Sequence, residues 1–157
     1  RQYFNNDLVI VSPDAGGVER ARAFAKRLNA SLAIIDKRRD EDQKVKAMHI
    51  NGEVEGKAAI ILDDMVDTGG TLTEAAIALA ENGARSINAC CTHAVLSGNA
   101  IGRIEESAIE NLIVTDSIPL QPETKGSKKI KVLTVANLLG EAIKRTHVND
   151  SVSSLFV

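Results

Sequence analysis

The chain has 157 residues, with 19 Lys and Arg against 21 Asp and Glu, which gives a formal net charge of −2 at pH 7. This near balance, together with an aromatic content of 3%, argues against the basic face and stacking rings of a nucleic-acid-binding protein. Hydrophobic residues make up 44% of the chain, and no apolar run reaches the roughly 18 residues of a membrane span. The composition predicts one globular domain that acts on a small molecule.

Short apolar runs, each bounded by Gly, Asp, Pro or Ser, alternate along the chain with stretches of helical periodicity. In chain order the predicted elements are strand 8–11, helix 18–28, strand 32–35, a polar loop at 36–43, a hairpin over 45–54 that turns at Asn51-Gly52, strand 57–62, helix 72–81, strand 86–91, helix 101–107, strands 112–114 and 130–135, and helix 135–146. Strands alternating with helices predict an α/β fold with three layers, in which a mostly parallel twisted sheet carries helices on both faces.

Ligands of open α/β sheets bind beyond the carboxyl ends of the strands. Three predicted loops fall at that edge, namely residues 12–17, 36–43 and 63–71. The third follows the strongest strand signal in the chain and leads into a helix. These loops are therefore the candidates for the functional site.

The loop at 63–71 combines three carboxylates with a glycine-threonine turn. Thr68-Gly69-Gly70-Thr71 can direct successive backbone amides and a helix N-terminus at one phosphate, although it lacks the Gly-Lys-Thr ending of a Walker loop. Asp63, Asp64 and Asp67 would repel a bare nucleotide, so they indicate contacts to sugar hydroxyls or to a divalent cation. The alternative is an ordinary strand-to-helix turn with Thr71 as the N-cap.

Residues 60–71 resemble the phosphoribosyl diphosphate loop shared by type I phosphoribosyltransferases and ribose-phosphate pyrophosphokinases. The resemblance implies a type I phosphoribosyltransferase-like fold. It also implies that Asp63 and Asp64 hydrogen-bond the ribose 2′- and 3′-hydroxyls. The residues implied to wrap the 5-phosphate are Asp67, Thr68, Gly69, Gly70 and Thr71.

Two further loops resemble those of the pyrophosphokinases in particular. Residues 11–18 are similar to their pyrophosphate loop, which implies diphosphate contacts from Asp14, Ala15, Gly16 and Gly17, with Asp14 as a ligand of Mg²⁺. Residues 35–39 are similar to their mobile catalytic loop, which implies that Lys37 and Arg39 contact the ATP phosphates. Acidic residues follow at 40–42, where the family more often has Pro and basic residues, and three acids there would partly cancel the field of the two cations.

Segments 90–93, 96–100, 141–145 and 151–153 also resemble this family, so the resemblance covers essentially the whole chain. It implies synthesis of phosphoribosyl diphosphate and AMP from ribose 5-phosphate and ATP, in a homo-oligomer. It further implies that the chain is the second, C-terminal half of such a protein, that the absent half supplies adenine contacts, and that the chain alone binds ribose 5-phosphate without forming product. Residues 1–146 would form the catalytic domain, and 147–157 a tail that packs on the absent domain or a neighbouring subunit. Ser151 and Ser153 would line a regulatory site.

Two alternatives stay open. A type I phosphoribosyltransferase would use the same loop with a nucleobase, but the sequence shows no hood segment for the base. A non-catalytic regulatory subunit associated with the pyrophosphokinase would keep the fold without the activity.

Cys90 and Cys91 are adjacent and form no disulfide framework, which indicates a reducing, cytoplasmic compartment. Successive strand side chains point to opposite faces, so these residues are predicted to be buried small apolar groups rather than metal ligands.

Overall fold

The computed structural model of the chain describes residues 7–39 and 45–156. Over these ranges the chain forms seven strands, four α-helices and two short 3-10 helices, at Pro122–Gly126 and Ser153–Phe156. The strands and α-helices are β1 (Leu8–Ser12), α1 (Val18–Leu28), β2 (Ser31–Arg39), β3 (Val45–Asn51), β4 (Ala58–Val66), α2 (Gly70–Glu81), β5 (Ser86–Ala94), α3 (Ala100–Glu106), β6 (Asn111–Thr115), β7 (Ile130–Leu133) and α4 (Ala136–His147).

The seven strands form one sheet in the order β3-β2-β1-β4-β5-β6-β7. Every neighbouring pair is parallel except β2 and β3. In the register of the central strands, Val11 of β1 lies beside Ala33 of β2 and Ile61 of β4. The carboxyl ends of β1, β2 and β4 therefore meet at one edge of the sheet.

Two apolar clusters cover the two faces of the sheet. Ile10 of β1 packs with Ala21 and Ala25 of α1, whereas its neighbour Val11 belongs to the cluster that contains Leu79 of α2. Adjacent strand residues reach opposite clusters because strand side chains alternate between faces. The predicted three-layer α/β fold with helices on both faces is confirmed.

Helix α1 has the bounds predicted from its apolar stripe. It ends at Asn29, which adopts the left-handed conformation (φ 54°) and donates its amide to the carbonyls of Ala25 and Lys26. This is the usual geometry of a helix C-terminus, and Lys26 and Arg27 in the last turn complement the helix dipole.

The predicted loop is wrong at residues 36–39, which are strand, and its residues 40–43 lie outside the described ranges. The predicted hairpin turn at Asn51-Gly52 is also wrong. Strand β2 continues to Arg39 and pairs antiparallel with β3, with Asp36 opposite His49. Since β1 pairs with β2 only as far as Ile34, the rest of β2 and its partner extend past the carboxyl edge of β1. We call the two paired strands beyond Ile34 the β2–β3 ribbon. Because β1 does not cover this ribbon, its strands can be polar and need no apolar run. The polar sequence was therefore mistaken for a loop.

The two cysteines lie on opposite faces of β5, as predicted. Cys91 is buried in the cluster on the α2 side, and Cys90 packs against the cluster on the α1 side. Burial raises the pKa of both thiols. Both side chains are free thiols that act as small apolar groups.

Helix α4 forms one residue later than predicted, at Ala136–His147, and none of its residues is buried. Its apolar residues Leu138, Leu139 and Ile143 are exposed, as is Leu133 of the preceding strand. Across the described ranges, no helix has both the length and the apolar character that crossing a bilayer requires.

Candidate functional site

The loop after β1 holds the carboxylate of Asp14 in a fixed turn. The buried Ser12 hydroxyl donates to the Asp14 carbonyl at 2.8 Å, and the Gly17 amide donates to Asp14 Oδ1 at 3.0 Å. A methyl group on Gly17 would lie 2.8 Å from Ser12 Oγ, closer than a side chain tolerates. The glycine therefore lets the chain close tightly around Asp14.

Asp63 and Asp64 belong to strand β4 and not to the loop in which they were predicted. The strand extends this far because it stays in register with β5, with Asp63 beside Cys91. Asp63 Oδ1 accepts a hydrogen bond from the Asp64 amide at 2.9 Å. Pairing with β5 thus holds the two acids rigidly at the carboxyl edge of the sheet.

Arg20 of α1 connects the first loop to these acids. Its Nη2 donates to Asp64 Oδ2 at 2.8 Å, and its Nη1 lies 3.9 Å from Asp63 Oδ1. Desolvation opposes ionisation of Asp64, but the charge and hydrogen bonds of Arg20, with a hydrogen bond from Asp63, lower its pKa. Arg20 therefore keeps Asp64 ionised.

Asp63 has the opposite shift. Burial raises the pKa of Asp63 to about 6, and the negative charges of Asp64 and Asp14 act in the same direction. The influence of Asp14 shows that the loop after β1 and the end of β4 bring their carboxylates near each other. This arrangement costs stability, as is common where a site is built for a ligand.

We expect Asp63→Asn to stabilise the unliganded chain at pH 7.5 by about 1–2 kcal/mol and to have little effect at pH 4. The folded-state pKa lies above the unfolded one, near 3.9, so the native chain binds this proton more tightly. Stability is therefore lost as the pH rises from 4 through 6. Urea unfolding of both proteins at the two pH values measures the difference, and an equal difference at both would contradict the assignment.

The turn after β4 forms an open pocket of about 120 Å³ at the start of α2, lined by Asp63 and residues 65–72. Gly69 occupies the N-cap position with a φ of 78°, and α2 begins at Gly70, two residues earlier than predicted. Thr71 is therefore not the N-cap, and no side chain caps this helix. Uncapped amides and the helix dipole at this end favour an anion.

Lys37 and Arg39 were predicted on a mobile loop, but their backbone lies in the β2–β3 ribbon, where Lys37 pairs with Met48. The ribbon extends beyond the same edge of the sheet as the other two loops. Their side chains, and the acidic residues 40–42, lie outside what the structure describes.

Ser151 and Ser153 follow α4 and do not line the pocket. The carbonyl of Ser151 accepts a hydrogen bond from Arg145 Nη1 at 3.0 Å, and its hydroxyl accepts one from the Ser153 amide at 3.3 Å. The carbonyl of Phe156 accepts a bond from Arg27 of α1 at 3.2 Å. These residues therefore hydrogen-bond within the described domain.

Asp14 is the residue predicted to hold Mg²⁺. Nowhere in ranges 7–39 and 45–156 do three His, Cys, Asp or Glu side chains gather into a complete metal cage. Magnesium is often bound by one or two carboxylates together with substrate phosphates. Asp14 fits that pattern, since the Gly17 amide engages its Oδ1 and leaves Oδ2 for a cation.

The sequence did not indicate a role in the site for residues 95–103, which follow β5 and include the first residues of α3; we call them the brace segment. Its members hydrogen-bond the backbone at the end of β4 and at the start of the turn over residues 67–69, which we call the phosphate turn after its predicted role. The side chain of Ser97 also donates to Asp67 Oδ1 at 2.5 Å. The contacts join positions about 30 residues apart, so no local pattern could have shown them.

Comparison with known proteins adds matches over nearly the whole chain. Residues 40–157 match the family model described as the phosphoribosyl synthetase-associated domain. Ribose-phosphate pyrophosphokinase 1 of Listeria monocytogenes is 59% identical over 155 residues, which cover 99% of this chain and 48% of that protein. Ribose-phosphate pyrophosphokinase of Bacillus subtilis is 57% identical over 159 residues, covering 99% of this chain and 50% of that protein.

A solved structure agrees with these sequence matches. The crystal structure of phosphoribosylpyrophosphate synthetase from Mycobacterium smegmatis superposes with a TM-score of 0.83 at 36% identity, covering 92% of this chain and 46% of that one. The chain thus spans about half the length of the curated relatives it matches. The predicted placement in the C-terminal half is withdrawn, because the family match at residues 40–157 does not support it.

Proposed function

This chain belongs to the family of the phosphoribosyl synthetase-associated domain, and from that premise we propose that it is part of a ribose-phosphate diphosphokinase. The reaction transfers the diphosphoryl group of ATP to the C1 hydroxyl of ribose 5-phosphate and yields phosphoribosyl diphosphate and AMP. The names and identities of the relatives support the reaction. The geometry of the pocket supports the part that this chain plays in it, which is binding of the sugar phosphate.

The observation that carries the proposal is the pairing of two kinds of group in one pocket. Asp63 lines the pocket as an acceptor for sugar hydroxyls, with Asp64 next to it on β4. The uncapped start of α2, preceded by Thr68 and Gly69, lines the same pocket. A ligand with adjacent hydroxyls and a terminal phosphate matches both. The contacts to the 5-phosphate that we assign to Asp67, Gly70 and Thr71 would lie at the same end of the pocket as the start of α2.

The chemical step is attack of the C1 hydroxyl oxygen on the β-phosphorus of ATP. The bond from that phosphorus to the α–β bridging oxygen breaks, the hydroxyl proton passes to solvent, and AMP leaves with the bridging oxygen. Asp14 would hold Mg²⁺ with the substrate phosphates, and the cation supplies charge neutralisation. Ala15, Gly16 and Gly17 would approach the diphosphate closely, and Lys37 with Arg39 would stabilise the transferring phosphoryl oxygens.

The remaining assignments belong to the same proposal. The complete protein would act on ribose 5-phosphate and ATP in the cytoplasm as a homo-oligomer, without nucleic acid or membrane as partner. Residues 1–146 would form its phosphoribosyltransferase-like catalytic domain, and 147–157 a tail that packs on another part of the assembly. Ser151 and Ser153 would line a regulatory site in that assembly.

The test is the affinity of the chain for ribose 5-phosphate. We expect Asp64→Asn to weaken this binding about tenfold, because a neutral amide loses a charge-assisted hydrogen bond to a ribose hydroxyl. Binding of inorganic phosphate should change less than twofold. Isothermal titration calorimetry with both ligands measures the two effects.

Asp7→Asn is a matched control, because Asp7 pairs with Arg85 and its side chain is 59% exposed, against 60% for Asp64. It precedes β1 at the opposite edge of the sheet and should leave both affinities unchanged. A wild-type chain that binds inorganic phosphate and ribose 5-phosphate equally well, or an Asp64→Asn variant that binds both normally, would refute the proposed sugar site.

A further inference from the structure

The brace segment, residues 95–103, hydrogen-bonds three consecutive backbone carbonyls of the pocket. All three acceptors lie where β4 passes into the phosphate turn. The bonds run from the amides of Val95 and Leu96 to Val66 O at 3.0 and 3.1 Å, from the Ser97 amide to Asp67 O at 3.0 Å, and from Arg103 Nη1 to Thr68 O at 3.3 Å. One segment thus holds one side of the turn.

These bonds also fix the opposite side of the turn. No peptide bond of the described chain is cis, and in a trans peptide the N–H points away from the carbonyl of the residue before it. If the carbonyls of residues 66–68 face the brace segment, the amides of residues 67–69 face away from it. None of these three amides donates to an acceptor within the described residues. Consecutive free amides of this kind form an anion-binding concavity.

Helix α3 also packs closely on the turn. A methyl group on Gly69 would lie 3.5 Å from the Ala100 carbonyl, and one on Gly70 would lie 3.8 Å from Arg103 Nη1. The guanidinium group of Arg103 is therefore adjacent to the first residues of α2. The side chain is exposed and is not among the residues that line the pocket, so its positive charge would act on a bound ligand from beside the pocket.

The negative charge of the pocket makes the position of Arg103 important. Residues 63–71 contain three Asp and no Lys or Arg, so a phosphate placed there meets negative charge from its own loop. Arg20 is engaged with Asp64, and Ser97 holds the Asp67 carboxylate. A cation must come from outside the loop, and Arg103 lies next to it.

We propose that Arg103 is a further residue of the phosphate site, which holds the Thr68 carbonyl in place and supplies the positive charge that residues 63–71 lack. This inference rests on the proposed function only for the identity of the ligand. It assigns to α3 a part in binding that the motif at 60–71 does not include. Arg103 attracts the phosphate through its positive charge. It also orients the turn through its hydrogen bond to the Thr68 carbonyl.

The test compares Arg103→Gln with Arg103→Lys by calorimetry, using inorganic phosphate and ribose 5-phosphate as probes. Glutamine keeps an N–H donor for the Thr68 carbonyl but removes the charge, and lysine keeps the charge. We expect glutamine to weaken the binding of both probes about tenfold and lysine to weaken it threefold or less. In about 1 M salt the difference between the wild type and Arg103→Gln should shrink to about twofold, since the Debye length there is about 3 Å.

Arg85→Gln is the matched control, because Arg85 is an exposed arginine at the other edge of the sheet, where it pairs with Asp7. It should bind both probes as the wild type does. Circular dichroism and thermal unfolding establish that each variant is folded, and Arg103→Lys keeps the test valid if Arg103→Gln unfolds.

Four outcomes are decisive. Normal binding of both probes by Arg103→Gln overturns the inference, and so do equal, salt-independent losses in the two variants, which would indicate a purely structural role. If inorganic phosphate shows the expected losses while ribose 5-phosphate binds no better than phosphate, the inference stands and the proposed sugar site fails. A wild-type chain that binds neither probe overturns both.

Discussion

Lys37→Ala is expected to lower the rate of phosphoribosyl diphosphate formation by about 10²–10³-fold while the affinity for ribose 5-phosphate changes less than twofold. The backbone of Lys37 lies in the β2–β3 ribbon, beyond the carboxyl edge of β1, whereas the proposed sugar site lies on β4 and α2. A cation on the ribbon would act on the transferring phosphoryl group, and loss of one such group typically costs this much in rate. Steady-state kinetics on the active, full-length protein give the rate, and calorimetry gives the affinity.

Two further variants sharpen this experiment. Arg39→Ala should behave like Lys37→Ala, because both residues belong to the same proposed pair. Lys26→Ala removes an exposed lysine from the last turn of α1 and should leave the rate unchanged. Equal losses of rate and of sugar affinity in Lys37→Ala would place this lysine at the sugar site and would remove its catalytic assignment.

Gly52→Ala is expected to destabilise the fold by about 3 kcal/mol or more. Gly52 has a φ of 127°, a conformation that other residues rarely adopt. A methyl group there would also lie 2.7 Å from the Leu32 carbonyl and 2.9 Å from the Cα of Ala33. Both contacts are with the backbone of the β2 strand, so relief requires the strand itself to move. Urea unfolding measures the loss.

Gly56→Ala separates the cost of the positive φ from the cost of the close contact with β2. Gly56 also has a positive φ, of 69°, but a methyl group on it meets no atom within 4 Å. We expect this variant to lose only about 1 kcal/mol, the usual cost of placing alanine in a left-handed conformation. Equal losses in the two variants would show that conformation alone matters and would contradict the close approach of Gly52 to β2.

Features that depend on near neighbours in the chain could be read from the sequence. The apolar stripe of α1 and its closing Asn29 gave the helix its bounds, because the stripe and the cap lie within one short stretch. The buried run at 8–11 gave strand β1 for the same reason. The glycine-threonine turn at 68–71 also indicated a pocket at the start of α2, since backbone freedom and helix ends depend on local composition. The ligand contacts assigned to it stay predictions.

Features that depend on pairing across the sheet were missed. The polar stretch from Asp36 to Arg39 is a strand because β3 pairs with it. Gly52 is not a hairpin turn, because the strand before it, β3, pairs antiparallel with β2. Asp63 and Asp64 belong to β4 because β5 supports them in register. Hydrogen bonds from an adjacent strand can hold polar residues in a strand conformation. The local sequence of those residues does not show that such a partner strand exists.

The amino-acid sequence by itself determined the α/β class, the order of most elements and the chemical character of the pocket, because periodicity and turn composition are local. Only the tertiary structure decided the environment of each site residue. It set the burial that raises the pKa of Asp63, the Arg20 contact that ionises Asp64, and the position of Arg103 beside the phosphate turn. Desolvation and charge act through space, and chain folding alone creates those distances.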